Sequence, residues 1–143
     1  MSVTTTAPPT TRAGLSRPRL TLLRAGYLFM GGGLVLVKWP LLPEAHTLPL
    51  YEGVTLCLLT AMSLLALLGV RHPVKLLPVL VLETAWKLLW LTLVALPRAS
   101  TGDLDAATTV VLVNCSFVVV ILAVVPWDHV WRTYVRAPGE RWR

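Results

Sequence analysis

The sequence predicts an all-α integral membrane protein: a four-helix bundle of up-down topology, both termini cytoplasmic, with a short interfacial helix at the C-terminal end. Three observations predict it. Of 143 residues, 55% are hydrophobic and only 14% charged, against about 25% charged in soluble domains. The mean hydropathy is +0.69. The apolar residues gather in four blocks, at about 20–38, 51–70, 76–96 and 107–126. Each matches the roughly 20 residues that cross a hydrocarbon core. The third observation is where the charges fall. The net charge of +6 would suggest nucleic acid in a soluble protein, but here its placement reads as topology, and no nucleic-acid partner is expected. Arg12, Arg17, Arg19, Arg24, Arg71, Lys75, Arg132, Arg136, Arg141 and Arg143 all fall on one side if four segments cross. The opposite connections hold Lys38 and Arg98 with Glu44, Glu52, Asp103 and Asp105. The positive-inside rule places the basic side in the cytoplasm.

Residues 1–18 form a basic arm of Thr, Pro and Ala, too poor in apolar surface to fold, and are expected to be disordered. The four segments occupy 19–126 and leave no room for a soluble catalytic domain. Segment one has a basic flank like a signal peptide, but it is long for one and no A-x-A site follows. It ends at Lys38-Trp39-Pro40, where Trp39 is an interfacial anchor by type and Pro40 stops the helix. Gly31, Gly32 and Gly33 at its middle permit close helix approach or a bend. Residues 40–50 read as a stiff, proline-rich outer connection carrying a solvated His46.

Segment two opens with Glu52, a carboxylate that complements the helix dipole and lies near Lys38 for an ion pair. Gly69 is expected to end it and Pro73 to start segment three, which makes a tight cytoplasmic hairpin. In such a hairpin Thr60 lies opposite Glu83 and Leu56 opposite Lys87. Segment three ends at Leu96-Pro97-Arg98, and segment four, after Thr101-Gly102-Asp103, carries Asn114 and Ser116 at its centre. Residues 127–143 form an amphipathic cytoplasmic tail. Trp127, Val130, Trp131 and Tyr134 recur at helical spacing there, with Trp127 and Trp131 as anchors. Cys57 and Cys115 fall inside apolar segments and are expected as buried free thiols.

The best lead to a site lies in LLPVLVLETAWKLLWLTLVAL, where Glu83 and Lys87 stand four residues apart. Each charge alone there costs about 2.5–3.5 kcal/mol on insertion scales. Glutamate N-terminal to lysine at this spacing is the favourable order, and Trp86 and Trp90 share the stripe. Glu83, Lys87, Asn114 and Thr60 are expected to form one intramembrane polar cluster. Three readings of it compete: an ion pair that fixes packing, a docking surface for a membrane partner, and a proton site with Glu83 titrating. Enzyme chemistry has less support than any of these. No metal spacing, C-x-x-C or cofactor motif occurs, so no cofactor is expected.

Arg24-Ala25-Gly26 entering segment one, Lys38 leaving it, Glu52 opening segment two and Gly69-Val70-Arg71 closing it resemble small bacterial four-helix membrane proteins of the DoxX-like kind. The YEG, ETAWK and PGERWR stretches look like an uncharacterised bacterial family of this size. The resemblance implies a four-helix bundle in the bacterial inner membrane, accessory to a redox or envelope assembly. The expected function is therefore a non-enzymatic accessory or scaffold subunit, set in the lipid bilayer with a membrane-protein partner or a second copy. The alternative is a small proton-coupled transporter or channel, oligomeric because four helices make a thin pathway.

Overall fold

A computed structural model of the chain describes residues 15–138. Most of the expected basic arm, residues 1–14, and the end of the tail, residues 139–143, lie outside the described residues. All regular structure among the described residues is helical. Four helices are long and apolar enough to cross a membrane, within Arg17–Thr47, Leu50–Arg71, Leu77–Thr101 and Ala106–Val124. They are named α1 (Arg17–Lys38), α2 (Leu50–Arg71), α3 (Leu77–Thr101) and α4 (Ala106–Val124), followed by a short α5 (Trp127–Val130).

Pro18 sits in the first turn of α1, where a missing N–H breaks no hydrogen bond. The α-helix stops at Lys38, as Pro40 predicts, but the chain then continues as a 3₁₀ helix over Trp39–Thr47. Pro40 and Pro43 remove donors that an α-helix needs, while their fixed φ suits the tighter turn. Helix α2 runs past Gly69 to Arg71, so Gly69 is not a helix end. Its role is close approach: a Cβ there would overlap the Tyr27 ring. Pro78, rather than Pro73, occupies the first turn of α3.

Helix α3 continues beyond its expected end at Pro97 to Thr101, where Gly102 adopts φ 78° and stops it. Residues Leu91–Ala95 form a π-helical stretch that makes this possible, with the Leu96 N–H bonded to the Leu91 carbonyl. The wider turn relieves the clash a proline ring makes with the preceding turn. Helix α4 starts at the cap Asp105, whose carboxylate accepts the Thr108 N–H at 2.7 Å. It tightens at Phe117, whose N–H bonds to the Asn114 carbonyl three residues back.

The helices pack closely at one end. Leu23 and Tyr27 of α1, Ala66 of α2, Leu77 and Leu80 of α3 and Ile121 of α4 form the centre of one buried apolar cluster. A Cβ on Gly31 would lie 3.2 Å from Ala66 Cβ, whereas Gly32 and Gly33 meet open space. A Cβ on Gly26 would lie 2.8 Å from Val124 Cγ1, so α1 and the end of α4 also touch closely. Along the first half of α4 the packing is mainly on α3. The core therefore sits toward the end that holds the start of α1, the α2–α3 turn and the end of α4, while toward the other end Leu56, Ala95 and Thr108 are buried outside that cluster.

Candidate functional site: an ion pair at the floor of a cleft

Glu83 and Lys87 share one face of α3 because four residues make about one turn. Lys87 Nζ lies 2.8 Å from Glu83 Oε1, and Trp86 Nε1 donates to Glu83 Oε2 at 2.7 Å. Glu83 is 1% exposed and Lys87 6%. Both carboxylate oxygens are thus held by side chains of the same helix. The ammonium also lies 5.7 Å from the Trp86 ring centroid, within cation–π range. An ammonium carries three N–H donors, and among the described residues only Glu83 takes one.

The pair faces a cleft of about 790 Å³ lined by all four long helices. Its walls are apolar, with Met30 and Leu34 from α1, Leu59 and Met62 from α2, Leu82 from α3 and Ile121 from α4. The polar groups that reach it are Lys38, Thr55, Glu83, Lys87 and Asn114, with the buried thiol of Cys115 beside them. Phe29 of α1 and Phe117 of α4 meet edge to face at its side, with centroids 5.9 Å apart and planes at 70°. The cleft borders the buried core directly, because Met30, Leu34, Leu59, Met62 and Ile121 belong to the core cluster and also line the cleft.

Of the expected cluster, Glu83, Lys87 and Asn114 come together on this cleft and Thr60 does not. The Thr60 hydroxyl donates to the Leu56 carbonyl of its own helix at 2.8 Å. The α2 hydroxyl that does line the cleft is that of Thr55. Asn114 is exposed, and its amide has no hydrogen-bond partner among the described residues. Lys38 and Glu52 share a smaller cavity of about 310 Å³, but no salt bridge joins them among the described residues. Lys38 faces the larger cleft as well.

The indole N–H of Trp39 donates to Ser63 Oγ at 3.0 Å. Trp127 donates to the Leu122 carbonyl at 2.9 Å, and Trp131 is exposed beyond it. Cys115 is buried as expected, but Cys57 is exposed, because it lies on the face of α2 turned away from the other helices. Sequence reasoning missed the cleft-facing side of Lys38 and the Phe29–Phe117 contact. An apolar residue inside an apolar run carries no signal of facing a cavity rather than lipid. No group of three His, Cys, Asp or Glu side chains among the described residues is placed to hold a metal ion.

Outside the apolar spans, two carboxylates are held by local partners. Asp128 accepts from Arg19 at 3.1 Å and lies 3.7 Å from Arg132, so α5 is tied back to the start of α1. The hydrogen bond from Arg19 is the main reason its carboxyl lies below the usual range. The hydrogen bonds from Thr108 do the same for Asp105.

No protein-family model, curated protein or solved structure matches the chain. The resemblance of its helix ends to the DoxX-like kind gains no support from these comparisons.

Proposed function

We propose that this chain is a non-enzymatic accessory or scaffold subunit of a bacterial inner-membrane complex, and that it works by holding a small lipophilic molecule in the cleft. The observation that carries this reading is the cleft itself. Small-molecule sites are typically concave, about 300–1,000 Å³, mostly apolar and supplied with a few convergent polar groups. The cleft has about 790 Å³, apolar walls from all four helices, and the Lys87 and Asn114 donors. Chemistry on a bound molecule is disfavoured because Glu83, the acid on the cleft, has both oxygens engaged by Lys87 and Trp86. A pair closed within one helix fixes how α3 is rotated and so which face of α3 and α4 a membrane partner meets. The basic flanks support an up-down bundle with cytoplasmic termini.

The test is purification in mild detergent with mass spectrometry of retained small molecules and proteins. A stoichiometric lipophilic molecule and a reproducible membrane-protein partner are expected. Leu58→Trp fills the cleft from an exposed position and should displace the small molecule. Its unchanged retention would show that it binds elsewhere.

One observation favours a second reading, a small proton-coupled transporter. Two helices depart from regular α-geometry beside the cleft, α3 at Leu91–Ala95 and α4 at Phe117. Interrupted helices are a feature of transporter binding sites. Glu83→Gln should then abolish proton-linked flux in liposomes; flux equal to that of the unchanged chain excludes this reading.

A further inference from the structure

We infer that the cleft selects a long-chain organic anion, a single apolar chain ending in one carboxylate, with that head bound by Lys87 and Asn114. This rests on the cleft being a small-molecule site and deepens that reading by naming the ligand.

Three features decide the head group. The charged side chains lining the cleft are two cations, Lys38 and Lys87, against one anion, Glu83. Each Glu83 oxygen already accepts a hydrogen bond, from Lys87 or Trp86, and its charge is neutralised by the Lys87 ammonium. A cationic head would therefore meet two positive charges and, besides Glu83, only the neutral acceptors of Asn114 and Thr55. Lys87 has two N–H donors beyond the one given to Glu83, although it is 6% exposed and surrounded by apolar walls. A buried ammonium with unused donors favours an acceptor, and a charged one most strongly. Asn114 adds an amide from the neighbouring helix, also without a partner among the described residues. Two donor groups suit the two oxygens of a carboxylate.

The body of the ligand follows from the walls. Met30, Leu34, Leu59, Met62 and Leu82 offer no hydrogen bonds, so a second polar group lying along those walls would be desolvated without compensation. Lys38, the last residue of α1, also lines the cleft and adds attraction for the same charge. Glu52, which shares the smaller cavity with Lys38, does not line this one.

The protein can be tested as it stands, since Trp86 and Trp90 line the cleft and bromine on a bound chain quenches indole fluorescence on contact. The full-length chain is placed in nanodiscs and titrated with chain-brominated stearate, stearyl alcohol and stearylamine. Saturable quenching by the carboxylate is expected, about tenfold tighter than by the alcohol, with the amine weakest. Trp90→Phe should remove part of the saturable signal. The paired variant Glu83→Gln with Lys87→Gln keeps the shape and leaves no lone charge, and it should bind stearate and alcohol alike. Lys87→Arg should retain the preference. Equal binding of carboxylate and alcohol by the unaltered chain overturns the head-group assignment and leaves the cleft reading standing. Quenching that rises only linearly, as for bulk bilayer partitioning, overturns both.

Discussion

Tyr27 is fully buried, yet its hydroxyl donates to the Pro73 carbonyl at 3.0 Å. One side chain thus satisfies a turn carbonyl and fills the space left by Gly69. Tyr27→Phe should lower stability by about 1 kcal/mol, the net worth of one neutral hydrogen bond. Gly69→Ala should lower it more, by about 1–3 kcal/mol, because the added methyl would overlap the fully buried Tyr27 ring. Thermal unfolding in detergent measures both. The ion pair obeys a different rule. Lys87→Met strands a buried carboxylate and should destabilise by about 3–5 kcal/mol, whereas Glu83→Leu with Lys87→Met should recover most of that. A double variant as unstable as the single one would show that the pair does more than neutralise itself. The pair was legible in the sequence because its partners lie one turn apart on a single helix, so their meeting depends on no other element. Asn114 joins them from α4, at a similar distance along its own span. Thr60 was placed wrongly relative to the cleft because that inference assumed α2 and α3 in register along their whole length. They have only limited contact, and α2 packs chiefly on α1.

The four spans were legible for a similar reason: their apolar runs are set by hydrocarbon thickness rather than by tertiary contacts. Their interruptions were not. The π-helical stretch at Leu91–Ala95 is an accommodation of Pro97 by the preceding turn, and Pro97 alone reads as a stop. The tightening at Phe117 has no Pro or Gly to announce it. The start of α4 is more regular, since Asp105 caps the Thr108 N–H. Asp105→Ala should speed hydrogen exchange at the amides of Thr108 and Thr109, and Asp105→Asn should largely preserve protection. Exchange rates unchanged in the alanine variant would mean the cap contributes nothing to the order of that turn.

Among the described residues Arg17, Arg19, Arg24, Arg71, Lys75 and Arg132 lie toward the packed end with Asp128, and Glu44, Glu52, Asp103 and Asp105 lie toward the other end with Lys38 and Arg98. Single cysteines introduced at Lys75 and Asp103, in a background without Cys57 and Cys115, should be labelled from opposite sides of the membrane, Lys75 from the cytoplasm. Labelling of both from one side would contradict the four-span arrangement. The Arg19–Asp128 contact closes the packed end. The Asp128 carboxyl lies below its ordinary value, chiefly because of the hydrogen bond from Arg19. Whatever stability it adds is present above that value and is lost as pH falls through the lower folded one. Hydrogen exchange in residues 127–135 should therefore rise below about pH 4, and also with salt, which screens exposed pairs. Since Gly26, Gly31 and Gly69 set the closest helix approaches, the width of the cleft is fixed by residues that do not line it, and larger side chains at those three positions should widen it from a distance.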